Sequence, residues 1–254
     1  MEQNIIVSNR EIADRIFEIK VKGPVTRKMT QPGQFVHIKV GEGSLHMLRR
    51  PISICHIEPE IETFTMLYRA EGAGTQRLSQ MRENDAIDII APLGNGFPVE
   101  KAERKALLVG GGIGVPPLYE LSKQLNRQGI ETVHVLGFRS KKDVFYADEF
   151  AQLGETHIVT EDGTMGAKGF VTNVISELPV DYDIYYTCGP KPMLKAIKEH
   201  DKIADVEGFL SLEERMGCGI GACYACVCHT PESETSYVKV CTDGPVFEKG
   251  AVIL

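Results

Sequence analysis

From the amino terminus to about residue 98 the apolar positions come in short bursts rich in β-branched and aromatic residues. They are Ile5-Ile-Val, Ile16-Phe-Glu-Ile-Lys-Val, Phe35-Val-His-Ile-Lys-Val, Ile52-Ser-Ile, Phe64-Thr-Met-Leu-Tyr and Ala86-Ile-Asp-Ile-Ile. Turn formers separate them at Gly23-Pro24, Gln31-Pro-Gly33, Gly41-Glu-Gly43 and Glu83-Asn-Asp85. Many short strands at fairly regular spacing predict an antiparallel β-barrel. One helix is expected after Gly74, through Thr75-Gln-Arg-Leu-Ser-Gln-Met.

Pro92, Gly94, Gly96 and Pro98 then break the pattern, and a charged stretch, Glu100 to Lys105, follows. Beyond it the rhythm becomes strand, turn, helix. Strands are expected at Leu107-Leu-Val, Thr132-Val-His-Val-Leu, His157-Ile-Val-Thr and Asp183-Ile-Tyr-Tyr, with helices at Pro117–Gln128, Phe170–Leu178 and Pro192–His200. That alternation predicts a parallel α/β sheet. The expected division is a barrel over 1–99, an α/β nucleotide-binding domain over 100–208 and a small C-terminal subdomain over 209–254.

Composition narrows the class. At 254 residues the chain has room for two domains and an appendage, and 43% hydrophobic with 25% charged residues is ordinary for a soluble globular protein. A formal charge of −7 argues against nucleic acid and anionic membrane as partners. No apolar run reaches the length of a membrane span, and Met1-Glu-Gln-Asn does not begin a signal peptide, so a cytoplasmic protein is expected. The seven histidines are scattered without ligand spacing, and none is assigned to a metal or to catalysis.

The chemistry concentrates near the carboxyl end. Cys218, Cys223 and Cys226 form C-x4-C-x2-C, and Cys241 follows at a distance. This is the plant-type spacing for a [2Fe–2S] cluster, with three thiolates on one tight loop and the fourth supplied from farther along. Gly217, Gly219, Gly221, Ala222 and Ala225 keep that loop slim. Structural zinc normally uses two separated knuckles, disulfides belong to secreted chains, and a redox pair at Cys223 and Cys226 belongs at the start of a βαβ unit. These three remain the competing readings. Cys228 is read as a bystander.

Two further elements suit nucleotides. Val109-Gly110-Gly111-Gly112-Ile113-Gly114-Val115-Pro116-Pro117 follows a strand and opens a helix, where glycines admit a pyrophosphate. The third glycine of the usual fingerprint is replaced by Pro117, and a ligand-free tight turn is the plain alternative. Cys188-Gly189-Pro190 lies just after the last expected strand, Asp183-Ile-Tyr-Tyr, and taken alone Cys188 is a small core residue. In the barrel, Arg49-Arg50-Pro51-Ile52-Ser53-Ile54 can present an arginine and a hydroxyl at a strand end, and Gly72-Ala73-Gly74-Thr75 opens a helix where phosphate binds. Each has a bland reading, a solvated arginine and a plain N-cap.

In this order the pieces resemble the ferredoxin-reductase superfamily. The resemblance makes Arg50, Pro51, Ile52, Ser53, Leu67, Tyr68, Arg69, Gly74 and Thr75 the expected FAD residues, and Gly111, Gly112, Gly114, Cys188, Gly189 and Pro190 the expected NAD residues. Arg139 stands where a 2′-phosphate would be held, so NAD against NADP stays open. With Leu212-Glu-Glu-Arg-Met-Gly-Cys-Gly-Ile-Gly-Ala-Cys-Tyr-Ala-Cys226, the whole chain is similar to the electron-transfer subunits of NAD-dependent (class 1B) dihydroorotate dehydrogenases.

That likeness implies an FMN-containing catalytic partner in a heterotetramer of two subunits of each kind. It also implies electrons passing through the [2Fe–2S] cluster, held by Cys218, Cys223, Cys226 and Cys241, and FAD to NAD. A flavin suits that position, because it converts one-electron to two-electron transfer. The alternatives are the flavin/iron–sulfur subunit of a ferredoxin:NADP oxidoreductase, a sulfide dehydrogenase or a sulfite reductase, and a zinc-stabilised flavoprotein with a scaffold role.

Overall fold

The structure is a computed structural model that describes residues 3–41 and 47–254. The expected turn at Gly41-Glu-Gly43 therefore lies partly outside the described residues.

The first domain contains strands β1 (Ile5–Ala13), β2 (Ile16–Lys22), β3 (Phe35–Lys39), β4 (Arg50–Glu58) and β5 (Thr63–Arg69), helix α1 (Ala73–Ser79) and strand β6 (Asp88–Leu93). The strands pair in the order β1-β2-β5-β4-β3-β6, all antiparallel. The ends meet: Ile6 N–H donates to Asp85 O at 3.0 Å and Ile87 N–H to Asn4 O at 2.9 Å, which closes the barrel. Alternate residues of the strands point inward, so Ile19 and Val21, Val36 and Ile38, Phe64, Met66 and Tyr68 fill the interior. Pro92, expected to end the barrel pattern, lies inside β6. The register against β3 shifts there, between the pairs Phe35–Leu93 and His37–Ile90, and a bulge tolerates a residue without an N–H donor.

The second domain runs β7 (Lys105–Gly111), α2 (Pro116–Arg127), β8 (Glu131–Phe138), α3 (Ala147–Ala151), β9 (Glu155–Thr160), β10 (Ala167–Lys168), α4 (Val171–Glu177), β11 (Ile184–Cys188), α5 (Lys191–Lys198) and β12 (Glu207–Ser211). Beyond it come β13 (Val227–His229), β14 (Tyr237–Lys239) and β15 (Val246–Glu248). The sheet order is β10-β9-β8-β7-β11-β12-β15, parallel up to β12, with β15 antiparallel at the edge. Every residue of β7 is buried, because helices cover both faces. Leu108 packs with Leu118 and Leu121 of α2 on one side, and Leu107 and Val109 with Val171 and Ile175 of α4 on the other.

From β7 the chain builds outward through β8 and β9, then returns to the other flank at β11. The crevice between the carboxyl ends of β7 and β11 is the switch point at which such sheets bind ligands.

Strand β12 crosses the expected division at 208/209. It is fully embedded in the parallel sheet, and β15 from the tail pairs with it, so tail and sheet are continuous. Leu210, Leu212, Met216, Val240 and Phe247 form the shared core, with Phe35 reaching in from the barrel. The barrel is held to α2 by Glu120, a buried carboxylate that meets His56 Nδ1 at 2.8 Å and accepts from Ile57 N–H at 3.1 Å. Among the described residues no helix is long and apolar enough to cross a membrane.

Candidate functional site

Two adjoining cavities lie where barrel, sheet and tail meet. The smaller, about 390 Å³, is bordered by Pro51, Ile52 and Ser53 of β4, Leu67, Tyr68 and Arg69 of β5, Thr75 of α1 and the Ser211–Met216 run of the tail. The larger, about 650 Å³, opens over the switch point and is bordered by Gly111, Gly112, Gly114, Gly189 and Pro190. Arg69, Ile113 and Glu213 belong to both walls. Of the expected flavin and nicotinamide residues, all but Arg50, Gly74 and Cys188 border one of these two adjoining spaces.

Arg50 and Gly74 explain each other. A methyl on Gly74 would lie 2.3 Å from Arg50 Nε, so only glycine lets the guanidinium settle against the first turn of α1. Thr75 closes that turn: Gly72 N–H donates to its Oγ1 at 3.2 Å. A fixed positive charge beside free amide groups fits a diphosphate. Tyr68 borders the cavity differently, its ring buried and stacked on Phe17 at 5.7 Å with its hydroxyl donating to Asn9 Oδ1.

The glycines of the second cavity have separate tasks. Methyl groups on Gly111 and Gly189 would strike Met193, and one on Gly114 would lie 2.4 Å from the Cys188 carbonyl oxygen. These three let the loops after β7 and β11 lock together. Gly112 differs: its φ is +52°, and only Arg69 Nη2, at 3.9 Å, comes near a methyl placed there. Its backbone is the part open to a ligand. Cys188 does not reach the cavity wall. Its thiol is buried, and burial pushes its pKa up.

Several wall residues escaped sequence reasoning. Glu213 is exposed to solvent at the wall of both cavities, and the protein crowded around it raises its carboxyl pKa. Asp143, Glu161, Phe170 and Thr172 complete the larger cavity beside Arg139. No local motif marks them.

The four cysteines come together as two pairs. Cys223 N–H donates to Cys218 Sγ at 3.3 Å, and these two thiols also face each other. Cys226 faces Cys241. Left-handed backbone at Gly219 and Gly221 turns amide groups inward, and N–H groups of Ile220, Cys223 and Ala222 push Cys218 down to about 7.

Two irons bridged by sulfides need two thiolates each, and the paired arrangement fits that chemistry. Cys228 turns away to Glu214 Oε1, at 3.6 Å. Around the loop Ile220, Tyr224 and Tyr237 are exposed. His37 of β3 is buried against the same loop, and burial, with the charge of Arg49, lowers its pKa.

Fold and site define the class, a ferredoxin-reductase-like oxidoreductase with a C-terminal iron–sulfur domain. Residues 108–199 match the family model for an oxidoreductase NAD-binding domain, and residues 213–253 that for the iron–sulfur cluster binding domain of dihydroorotate dehydrogenase B. The chain is 55% identical over 258 aligned residues to the dihydroorotate dehydrogenase B (NAD(+)) electron transfer subunit of Bacillus cereus strain G9842, covering 100% of this chain and 99% of that protein. The Bacillus anthracis protein (strain CDC 684) matches equally, at 55%.

Among solved structures, an NADH-dependent reduced ferredoxin-NADP oxidoreductase superposes with a TM-score of 0.88 at 32% identity, covering 100% of this chain and 90% of that one. A ferredoxin NADP+ reductase from Neisseria gonorrhoeae, with a TM-score of 0.67 at 16% identity over 81% of this chain and 91% of that one, shares the fold. The chain belongs to the family of dihydroorotate dehydrogenase B electron transfer subunits.

Proposed function

We propose that this chain carries electrons from an FMN-containing dihydroorotate dehydrogenase subunit, through a [2Fe–2S] cluster and FAD, to NAD in de novo pyrimidine synthesis. The observation that carries the proposal is the alignment of three sites: paired thiols, a barrel-side cavity and a switch-point cavity, joined by the tail segment 211–216. When bound, FAD would exchange single electrons with the cluster and electron pairs with NAD.

The chain's own residues divide the work. Cys218, Cys223, Cys226 and Cys241 would hold the cluster, which supplies one-electron transfer when bound. Arg50, Gly74 and Thr75 anchor the flavin diphosphate, while Pro51, Ile52, Ser53, Leu67, Tyr68 and Arg69 form the bed of its ring. Gly112 admits the nicotinamide nucleotide, Gly111, Gly114, Gly189 and Pro190 shape its floor with Cys188 buried behind them, and Glu213 stands where ring and nicotinamide meet. Asp143 and Glu161 on the wall beside Arg139 support NAD, because carboxylates repel a 2′-phosphate. Ile220, Tyr224 and Tyr237 give the partner an apolar approach to the cluster. A heterotetramer with two catalytic subunits, in the cytoplasm, completes the reading, with the nucleotide domain ending after Ser211.

A second reading, the flavin subunit of a ferredoxin:NADP oxidoreductase, draws on the TM-score of 0.88 to that enzyme. The higher identity, 55% against 32%, favours dihydroorotate. Metal and flavin analysis of the purified protein tests the cofactor assignment: iron, acid-labile sulfide and FAD with a brown spectrum are expected. Zinc in place of iron, with a plain yellow flavin spectrum, would contradict it.

A further inference from the structure

His37 is a buried imidazole that barrel packing alone does not account for. Its ring is 0% exposed, and neither nitrogen has a hydrogen-bond partner among the described residues. Folded proteins rarely leave such a group unpaired. Its surroundings suggest why. A methyl on Gly219 would lie 2.4 Å from Nδ1, so the cysteine loop is pressed against the ring.

The carbonyl groups of Cys218 and Arg49 stand beside the ring without reaching good hydrogen-bond geometry. On the barrel side His37 is in register with Pro51, and Phe35 with Ser53. The imidazole therefore lies between the loop carrying Cys218 and Cys223 and strand β3, whose sheet neighbour β4 carries Pro51, Ile52 and Ser53.

We propose that His37 is a positioning residue for electron passage between cluster and flavin, its N–H directed at the loop backbone around Cys218 and Gly219. The proposal rests on the cluster and flavin sites assigned above and adds no chemical step. Donors around a cluster, and the groups that orient its ligands, set its reduction potential. The pairing also explains why residue 219 is glycine, since any side chain there would displace the ring.

The test compares the holoprotein with His37→Phe, which fills the space without a donor, and His37→Gln, which keeps an N–H. Iron and flavin contents are measured, and the cluster potential is read by EPR-monitored redox titration. Both variants should keep FAD. His37→Phe should shift the cluster's reduction equilibrium at least tenfold toward the oxidised form, ~59 mV for one electron, or release the cluster. His37→Gln should restore most of the wild-type value.

Equal shifts in the two variants, or an unshifted potential in His37→Phe, would overturn the proposal. Should neither variant fold, pulsed EPR on the reduced wild-type cluster, with nitrogen-15 histidine in a His229→Asn background, should detect a histidine nitrogen. Its absence overturns the proposal equally. A wild-type protein with no cluster signal after reduction would instead contradict the cluster assignment itself.

Discussion

The α-carbon of Gly114 lies so close to the Cys188 carbonyl that a methyl added there would sit 2.4 Å from the oxygen. The contact joins the loop after β7 to the loop after β11, the two edges of the switch point. A main-chain carbonyl inside a sheet cannot move aside as a flexible side chain can. Gly114→Ala should therefore destabilise the fold by about 1–3 kcal/mol, the usual cost of overpacking, and raise the KM for NADH. Thermal unfolding and NADH-driven dye reduction check this, and wild-type values in both would show that the loops are not locked.

Gly112 makes the opposite kind of prediction. Its side-chain direction is open, so Gly112→Val should place bulk in the larger cavity, at a backbone φ of +52° that a β-branched residue resists. NADH affinity should fall by roughly tenfold or more, the effect of about 1.4 kcal/mol, while FAD content stays at the wild-type level. Loss of flavin with unchanged NADH affinity would reverse the assignment of the two cavities.

Cys223→Ser separates the cluster from the flavin. The variant should lose the cluster spectrum and the transfer of electrons from the catalytic partner, yet retain NADH-driven flavin reduction, because no FAD or nucleotide residue is touched. Full cluster absorbance with normal dihydroorotate-to-NAD transfer would show that Cys223 is not a ligand.

His134 sets a pH dependence of stability. The ring is buried between Ser122 Oγ at 2.8 Å and Thr156 Oγ1 at 2.9 Å, and burial lowers its pKa from 6.5 to about 3. The unfolded chain takes up a proton near pH 6.5 that the folded chain refuses until about pH 3. This contribution is thus complete above pH 6.5 and is lost as pH falls toward 3, by about 1.4 kcal/mol per pH unit. Denaturant unfolding between pH 7 and 5 should show a shallower slope for His134→Gln, by up to one proton. An unchanged slope would place the acid sensitivity elsewhere.

How much of this was legible in the sequence depended on whether the signal was local. The barrel strands and the βα alternation announced themselves through period and turn residues, and the cysteine spacing named its chemistry before the thiols were seen in pairs. What stayed hidden arose from distant contacts. Strand β12, Glu207-Gly-Phe-Leu-Ser211, reads as the start of a tail and becomes sheet because β11 and β15 flank it. Glu213 lies in the Leu212–Cys226 segment without a role that the spacing assigns, and His37 carries no motif. Each gains its position only when barrel, sheet and tail pack together, and a histidine between two inward-facing apolar residues of a strand looks like any other outward-facing polar residue.

The central claim is electron passage from dihydroorotate to NAD through this chain. The direct measurement is anaerobic: this protein is mixed with the catalytic dihydroorotate dehydrogenase subunit of the same source, dihydroorotate is added, and NADH is followed by absorbance. NADH should form in the mixture and not with either protein alone. No NADH from a mixture in which both proteins carry their cofactors would contradict the dihydroorotate assignment and leave the ferredoxin:NADP reading in its place.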